Sequence, residues 1–499
     1  MDWTRSGILL SALIVALICA EVVRKRLNFS VKTTRKFIHV ITGVFIAIAP
    51  FLLQSPYPLL IISGVFAILN LIAIKMDWMP GMHATERISY GTVFYPASFF
   101  ILSLLLWNHY KSVLVTSMLI MAIADAMAAI VGEGAKKPIA YQISGELKSL
   151  QGSMAMFLST FLISWLGMKF FVPIDGISID LSHSLWIAGI VAIIAMACES
   201  ISFKGSDNLT VPLGSAFVLH YMISHATVHN LYFTIGVLIA LLIAGGSFFL
   251  HFLSGSGAVS TFLLGTIVFG IGKWEFSLPI LLFFILSSLL SKMGKKWKSR
   301  FSATFQKGGQ RDLGQVLANG GIAGVIMLLW NYFPNDVWYF VFVGSIAAVT
   351  ADTWATEIGV FSRIAPRNIL NFKQVPPGTS GGVTLLGLGA AILGSFIIVF
   401  FGSLVTSRYA NLNQALPFFL IIIIAGLIGS IVDSVIGATV QAQYQCSICG
   451  KITEKKLHCQ NTETKLISGY KLVDNDIVNA ACAFSGALIT WIAYHIFAS

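Results

Sequence analysis

Residues 337–359 read VWYFVFVGSIAAVTADTWATEIG. The first part is an unbroken apolar run, and the last part carries two acids, Asp352 and Glu357. A run of this length and apolarity reads as a membrane-spanning helix. Acids in or at the end of such a helix cost several kcal/mol unless paired, so they are functional candidates. Five positions at about 100° each put the two acids roughly 140° apart around the helix. They therefore face different neighbours, and separate roles are expected for them.

The whole chain carries the same signature. Of its 499 residues 56% are hydrophobic and only 11% charged, with mean hydropathy +0.83; a soluble protein would carry roughly 25% charged residues. The expectation is an all-α polytopic membrane protein with about sixteen transmembrane helices in two bundles of about eight. The expected spans centre near residues 14, 46, 66, 98, 122, 161, 193, 216, 241, 264, 284, 322, 346, 392, 427 and 487, the least apolar being those at 98, 216 and 264. The first apolar run lacks a small-residue cleavage site and leads directly into RKRLNFS, so it reads as a retained span rather than a signal peptide.

Charge sets the expected orientation. Alternate loops, at 24–36, 74–87, 133–149, 203–208, 292–312, 362–373 and 451–471, hold nearly all of the 32 Lys and Arg residues. Only Arg5, Lys111, Lys169, Lys273 and Arg408 fall on the other side. That asymmetry places the basic loops in the cytoplasm and both termini outside, as in a multi-pass protein of a bacterial inner membrane with cytoplasm-facing active sites. The net charge of +11 then reflects topology. No basic run is interleaved with aromatics, so nucleic acid is not an expected partner.

Internal similarity divides the chain near residue 228. ADAMAAIVG (124–132) aligns without gaps to ADTWATEIG (351–359). A Gly/Ser element follows each, KSLQGSM (148–154) and PGTSGGV (377–383). Further on, CESIS (198–202) parallels VDSVI (432–436), and SDNLTVP (206–212) parallels VDNDIVN (473–479). The halves 1–228 and 229–499 read either as distantly related repeats or as two bundles sharing short Gly- and Ala-rich motifs.

The polar residues gather on the basic face. In the first half these are RKFIH (35–39), ERISYG (86–91), Asp125, Glu133, Lys148, Glu199 and the SDN of 206–208. Arg35 and His39, four apart, share one helix face beside Lys36. Lys148 with Ser149, Gly152 and Ser153 can hold phosphate oxygens through ammonium, hydroxyls and backbone N–H groups, although no P-loop pattern is present. Asp125, Glu199 and Asp207, next to Asn208, suit Mg²⁺. The second half repeats the recipe with Lys307, Arg311, Asn319, Asp352, Glu357, Asp433, Asn475 and Asp476. Its VPPGTSGG stretch predicts a tight non-helical loop exposing N–H groups around Gly378, Thr379, Ser380 and Gly381, and Asn319 and Arg311 suggest a phosphate corner at a helix start. Taken singly, each acid can be a solvated interfacial group. Together, Asp125, Glu199, Asp352, Glu357 and Asp433 are the candidate catalytic residues. Asp125, Asp207, Asp352, Asp433 and Asp476 are the candidate Mg²⁺ ligands. The whole suggests phosphoryl or nucleotidyl transfer, where positioning and charge neutralisation dominate.

Of six cysteines, Cys19, Cys198 and Cys482 lie in apolar runs and read as small buried thiols. Cys446, Cys449, His458 and Cys459 form C-x2-C-x8-H-C. Three thiols and an imidazole suit structural Zn²⁺; a plain structural loop is the alternative.

RKFIH, ERISYG, IADAMAAIVGE, KSLQGS and the Glu199–SDNLTVP region resemble the phytol kinase/dolichol kinase family over roughly residues 30–225. Gln151 stands where that family carries an acid, and Ala124 where it commonly has Gly. KGGQRDLGQVLANGG, ADTWATEIG, VPPGTSGGVTLLG, DSVIGATVQAQ, the C-x2-C loop and DNDIVN resemble the membrane family that includes plant phytyl-phosphate kinase. The resemblances imply a polytopic enzyme that phosphorylates a prenyl alcohol such as phytol or geranylgeraniol, with CTP or another nucleoside triphosphate as donor. The first half would make the prenyl monophosphate and the second the diphosphate. A cytidylyltransferase acting on a lipid phosphate, a two-repeat transporter, and a chain with one active half are the rival readings.

Overall fold

The structure, a computed structural model, describes residues 2–27, 31–76, 89–298, 310–409, 412–459 and 462–497. Among these residues, twelve helices are long and apolar enough to cross a bilayer, and shorter apolar helices run over Lys36–Leu52 and Gly91–Leu106. The protein is an all-α polytopic membrane protein. Every expected span centre falls inside a helix. The three least apolar show why they read weakly. That at 98 is the short Gly91–Leu106 helix, and that at 216 is Asp207–Ser224, interrupted by Pro212. Those at 264 and 284 belong to one helix, Gly255–Lys298, broken at Lys273, where φ is +49°.

The chain forms two compact units, Met1–Asn230 and Leu231–Ser499. In the first, the Asp125 helix (Lys111–Gly134) is the most buried span. It packs against the Gly152 helix (Leu150–Phe170), the Asn208 helix (Asp207–Ser224) and the Tyr95 helix (Gly91–Leu106), and the Glu199 helix (Leu181–Ser200) packs on the Gly152 and Asn208 helices. The Asp125 helix passes through a π-helical turn at Ile120–Ala124, immediately before the acid; such turns cost regular hydrogen bonding and concentrate at functional sites.

Within the second unit, the most buried span is the Asp352 helix (Val337–Gly359). It packs against the Asn319 helix (Leu313–Tyr332), the Gly387 helix (Leu385–Leu404), the Asp433 helix (Leu412–Thr439) and the Asn475 helix (Asn475–Phe497). As in the first unit, the central span packs on the helix before it, on the helix after it and on the last helix of the unit. The Asp433 helix also packs directly on it, whereas the Glu199 helix packs on the Gly152 and Asn208 helices instead.

The likeness extends to single atoms. A short antiparallel hairpin precedes the Gly152 helix (Ala140–Gln142 with Leu147–Ser149) and another the Gly387 helix (Arg367–Asn368 with Gly382–Val383). Each helix is then N-capped by a hydroxyl that accepts from the backbone three residues on: Ser149 Oγ from Gly152 N at 3.2 Å, Thr384 Oγ1 from Gly387 N at 3.0 Å. The cap residues share one backbone conformation, φ −130°, ψ 146° and φ −128°, ψ 152°. A Cβ on Gly152 would come 2.9 Å from Ala128 O, and one on Gly387 would come 3.0 Å from Ala355 O. Ala128 and Ala355 are equivalent in the alignment of the two Asp motifs, as are Gly132 and Gly359, which meet the same two glycines.

This corrects the pairing of the Gly/Ser elements. The structural partner of Lys148-Ser149-Leu150-Gln151-Gly152 is Val383-Thr384-Leu385-Leu386-Gly387, not PGTSGGV. The first five residues of PGTSGGV, 377–381, belong to the hairpin loop, which is longer in the second unit (369–381) than in the first (143–146), and only Gly382–Val383 form the strand. Lys148 consequently corresponds to Val383, and the second unit has no lysine at that place.

Small residues let helix backbones approach where lipid offers no hydrophobic drive for association. Gly152→Val and Gly387→Val should each push the capped helix off its neighbour and lower stability by about 1–3 kcal/mol. Thermal unfolding of detergent-purified protein reads this, and an unchanged midpoint would contradict the packing.

Candidate functional site

In the first unit, a buried ion pair forms the centre. Lys148 Nζ lies 2.6 Å from Glu199 Oε1, with side chains 15% and 8% exposed, and also donates to Ser202 Oγ (2.7 Å) and the Glu199 carbonyl (3.0 Å). Ser202 Oγ in turn donates to Asp207 Oδ2 at 3.3 Å. Asp125 feels the charges of Asp207, Lys148, Glu199 and Lys36. Burial works against the Lys148 ammonium, but Glu199, Asp207 and Asp125 outweigh it and hold its pKa above the ordinary lysine value. Glu199 Oε2 is buried with no hydrogen-bond partner among the described residues. A buried carboxylate oxygen left over after pairing is a candidate ligand for a cation or acceptor for a donor.

The rim is supplied by the other motifs. Lys36 Nζ pairs with Glu133 Oε2 at 2.9 Å. His39 Nε2 sits 3.2 Å from Met121 O and 4.0 Å from Asp125 Oδ2, with its ring 4.9 Å from that of Tyr95. Tyr90 N donates to Lys204 O (2.8 Å), and Asn208 Nδ2 donates to Gly205 O (3.2 Å) and to Asp207 Oδ1 (2.9 Å), so the ends of ERISYG and FKGSDN meet. Gly205, at φ +83°, allows this: a Cβ there would lie 2.6 Å from Gly91 N. The side chain of Arg35 and residues 86–88 lie outside the described residues.

Two of the expected phosphate hydroxyls already have protein partners: Ser149 Oγ accepts from Gly152 N–H, which leaves its own O–H to donate, and Ser153 Oγ is 2.5 Å from Tyr141 Oη. Gln151 is a tie: its Oε1 accepts from Ile139 N and its Nε2 donates to Lys137 O, both at 3.0 Å. An acid could not make the second bond.

In the second unit the two acids of the opening stretch do separate. Asp352 Oδ1 accepts from Ser430 Oγ at 3.4 Å, and its charge acts on Asp433 and Cys482. Asp433 Oδ2 is buried without a hydrogen-bond partner among the described residues. Glu357 Oε1 instead accepts from Ser291 Oγ at 2.6 Å and faces Arg311 electrostatically. Arg311 stacks over Phe283 and Phe284, 5.4 and 5.7 Å from the ring centres. With Asn319 it lines a largely apolar cleft whose walls include Leu264, Phe269 and Phe284. Asp352 and Asp433 are not among its lining residues. The Arg311–Asn319 corner therefore opens onto apolar surface, the surrounding a lipid chain would need, rather than onto the Asp352–Asp433 pair. Lys307 lies outside the described residues.

The Gly-rich loop is tight, as expected: Gly378 and Gly381 take φ +85° and +77°, and Thr379 N and Oγ1 both donate to Pro376 O. It lies on the end of the Asp433 helix, where a Cβ on Gly381 would reach Ser434 O at 2.8 Å. Ser380 Oγ donates to Glu454 Oε1 at 2.8 Å, Gln441 Nε2 donates to the same oxygen at 3.0 Å, and the Glu454 charge acts on Asp433. Glu454 was not singled out from the sequence; an acid inside the basic run KITEKK was the available signal. Asn475 and Asp476 occupy the first turn of the last helix, and its cap is Asp474, whose Oδ1 accepts from Ile477 N.

The ligand atoms of Cys446, Cys449, His458 and Cys459 all lie within 4.8 Å of one another. Backbone donation from Cys449 leads the effects that lower the Cys446 thiol to about 6.

The family described as Integral membrane protein DUF92 matches residues 238–487. The chain belongs to that family. Among its relatives, Protein PGR of Arabidopsis thaliana is 36% identical over 279 residues, 52% of this chain and 94% of the relative. A protein named Phytol kinase from Synechocystis sp. is 32% identical over 43% of this chain and 90% of the relative. Protein VTE6, chloroplastic, of Arabidopsis thaliana is 24% identical over 48% of this chain and 64% of the relative. No solved structure matches.

Proposed function

We propose that this DUF92 protein is a membrane prenol kinase and prenyl-phosphate kinase in one chain. The observation that carries the proposal is that one helical frame is built twice. In each unit an acid on the most buried span (Asp125, Asp352) interacts electrostatically with an acid on another helix of the same unit (Glu199, Asp433). Support also comes from the relatives. One is named a phytol kinase, and both it and Protein PGR align almost fully with only about half of this chain. The Met1–Asn230 unit would phosphorylate a prenyl alcohol and the Leu231–Ser499 unit the resulting monophosphate. A monophosphate kept in the bilayer gains effective concentration at the second unit when both share a chain.

Mg²⁺ fits both units, because each offers a buried carboxylate oxygen, Glu199 Oε2 and Asp433 Oδ2, without a hydrogen-bond partner among the described residues and beside other hard oxygens. Asp125, Glu199 and Asp207 would hold it in the first unit and Asp352 and Asp433 in the second, where it would neutralise phosphate charge. Lys148 would meet phosphate in the first unit, and the N–H groups of Gly378, Ser380 and Gly381 would do so in the second. CTP is the expected donor. The sites face the cytoplasm by the distribution of basic loops. A bacterial inner membrane gains no support from relatives that include chloroplast proteins.

Purified protein given labelled phytol, CTP and Mg²⁺ should yield phytyl monophosphate first and diphosphate later, with CDP released at each step. Pyrophosphate in place of CDP would indicate nucleotidyl transfer, and nucleotide-independent uptake into liposomes would indicate a transporter.

A further inference from the structure

Residues 441–470 follow the Asp433 helix as a small sheet, Gln443–Gln445 pairing with both Ile452–Thr453 and Lys465–Ser468, beside a second hairpin, Leu457–His458 with Thr462–Glu463. Strands this short have little core of their own. What they share is the C-x2-C-x8-H-C set. The chain turns sharply after Cys446: Gly450 N donates to Cys446 O (2.9 Å), Cys446 N donates to Lys451 O (3.0 Å), and Gly450 takes φ +70°. This brings Cys446 and Cys449 to the same point, and the second hairpin delivers His458 and Cys459.

The four cysteine and histidine groups fit a tetrahedral thiophilic ion. With metal–sulfur and metal–nitrogen bonds of about 2.3 and 2.1 Å, ligand atoms on a tetrahedron stand about 3.6 Å apart. His458 Nδ1 lies 3.6 Å from Cys449 Sγ and 3.2 Å from Cys459 Sγ, and all four ligand atoms fall within 4.8 Å. The thiols are free rather than joined as disulfides. Between the two ligand pairs runs Glu454, the residue that reaches back to Ser380 and Gln441 and faces Asp433.

We propose that Cys446, Cys449, His458 and Cys459 bind one zinc-class divalent ion, and that this ion holds Glu454 against the Gly-rich loop beside Asp433. Glu454 is thus a positioning residue for the second unit, and the metal fastens the segment that carries it. The metal clause stands apart from the kinase reading; the meaning of Glu454 for phosphoryl transfer rests on it.

The test uses full-length protein purified in detergent without chelators. Elemental analysis should find about one zinc per chain, and Co²⁺ exchange should give the intense thiolate and tetrahedral absorption of a sulfur-rich site. Cys449→Ser and His458→Ala should each lose the zinc and the cobalt spectrum. Absence of both signals from the wild type, or their survival in both variants, overturns the metal site. Hydrogen exchange across 376–382 and 452–458 should quicken in Cys449→Ser, and unchanged exchange at 376–382 overturns the link to the loop. Glu454→Gln should keep its zinc yet alter the KM of the second step, while Cys449→Ser should alter both zinc content and KM. Zinc and exchange results as expected, with no kinase activity in any variant or in the wild type, would uphold the metal site and overturn only the kinase reading.

Discussion

Lys148→Met is expected to abolish formation of the prenyl monophosphate, by at least about 10²–10³-fold in kcat, the usual cost of removing one pre-positioned charge-stabilising donor. The same substitution strands Glu199 as an uncompensated buried charge, which costs about 3–5 kcal/mol. Loss of activity alone would therefore be ambiguous. The double variant Lys148→Met/Glu199→Gln separates the two effects, since it replaces the pair by neutral groups and should recover most of the stability. A recovered unfolding midpoint with activity still absent is the expected result. Recovered activity would show that the pair serves folding alone. Because Lys148 corresponds to Val383, conversion of supplied monophosphate to diphosphate should continue in every folded variant, which gives an internal control.

Asp352→Asn is expected to stop the reaction at the monophosphate. The substitution keeps the volume of the side chain and an oxygen that can accept from Ser430, so the helix should remain in place. What it removes is the negative charge that Asp352 shares with Asp433. If that charge holds Mg²⁺, the second step should fall by about 10²–10³-fold while the first is untouched. Asp433→Asn should do the same. Glu357→Gln should not, because its Oε1 partner is Ser291 and its charged neighbour is Arg311, a different side of the helix. An Asp352→Asn protein that makes diphosphate at the normal rate would remove Asp352 from the second site.

Hydrophobic runs are local, so the sequence by itself determined the membrane class, the position of each helix and the acids worth watching. The roughly 140° between Asp352 and Glu357 follows from helix geometry alone, and their partners do differ. The likeness of ADAMAAIVG and ADTWATEIG was legible as well, because in both the small residues that meet the capped helix, Ala128 and Gly132, Ala355 and Gly359, stand at fixed spacing from the acid. What only the tertiary structure decided are the relations between distant segments. Gly152 and Gly387 became equivalent through the carbonyls of Ala128 and Ala355, which no short motif reveals. Ser149 Oγ accepts from the first turn of its own helix. Lys148 finds Glu199 and Ser202 only when two helices and a hairpin meet. Glu454 enters the Asp433 neighbourhood only because a small sheet folds back on the Gly-rich loop. Sequence patterns record which face of an element is apolar; the partner of a polar atom is set by packing across the chain, where a single unpartnered oxygen is costly enough to decide the arrangement.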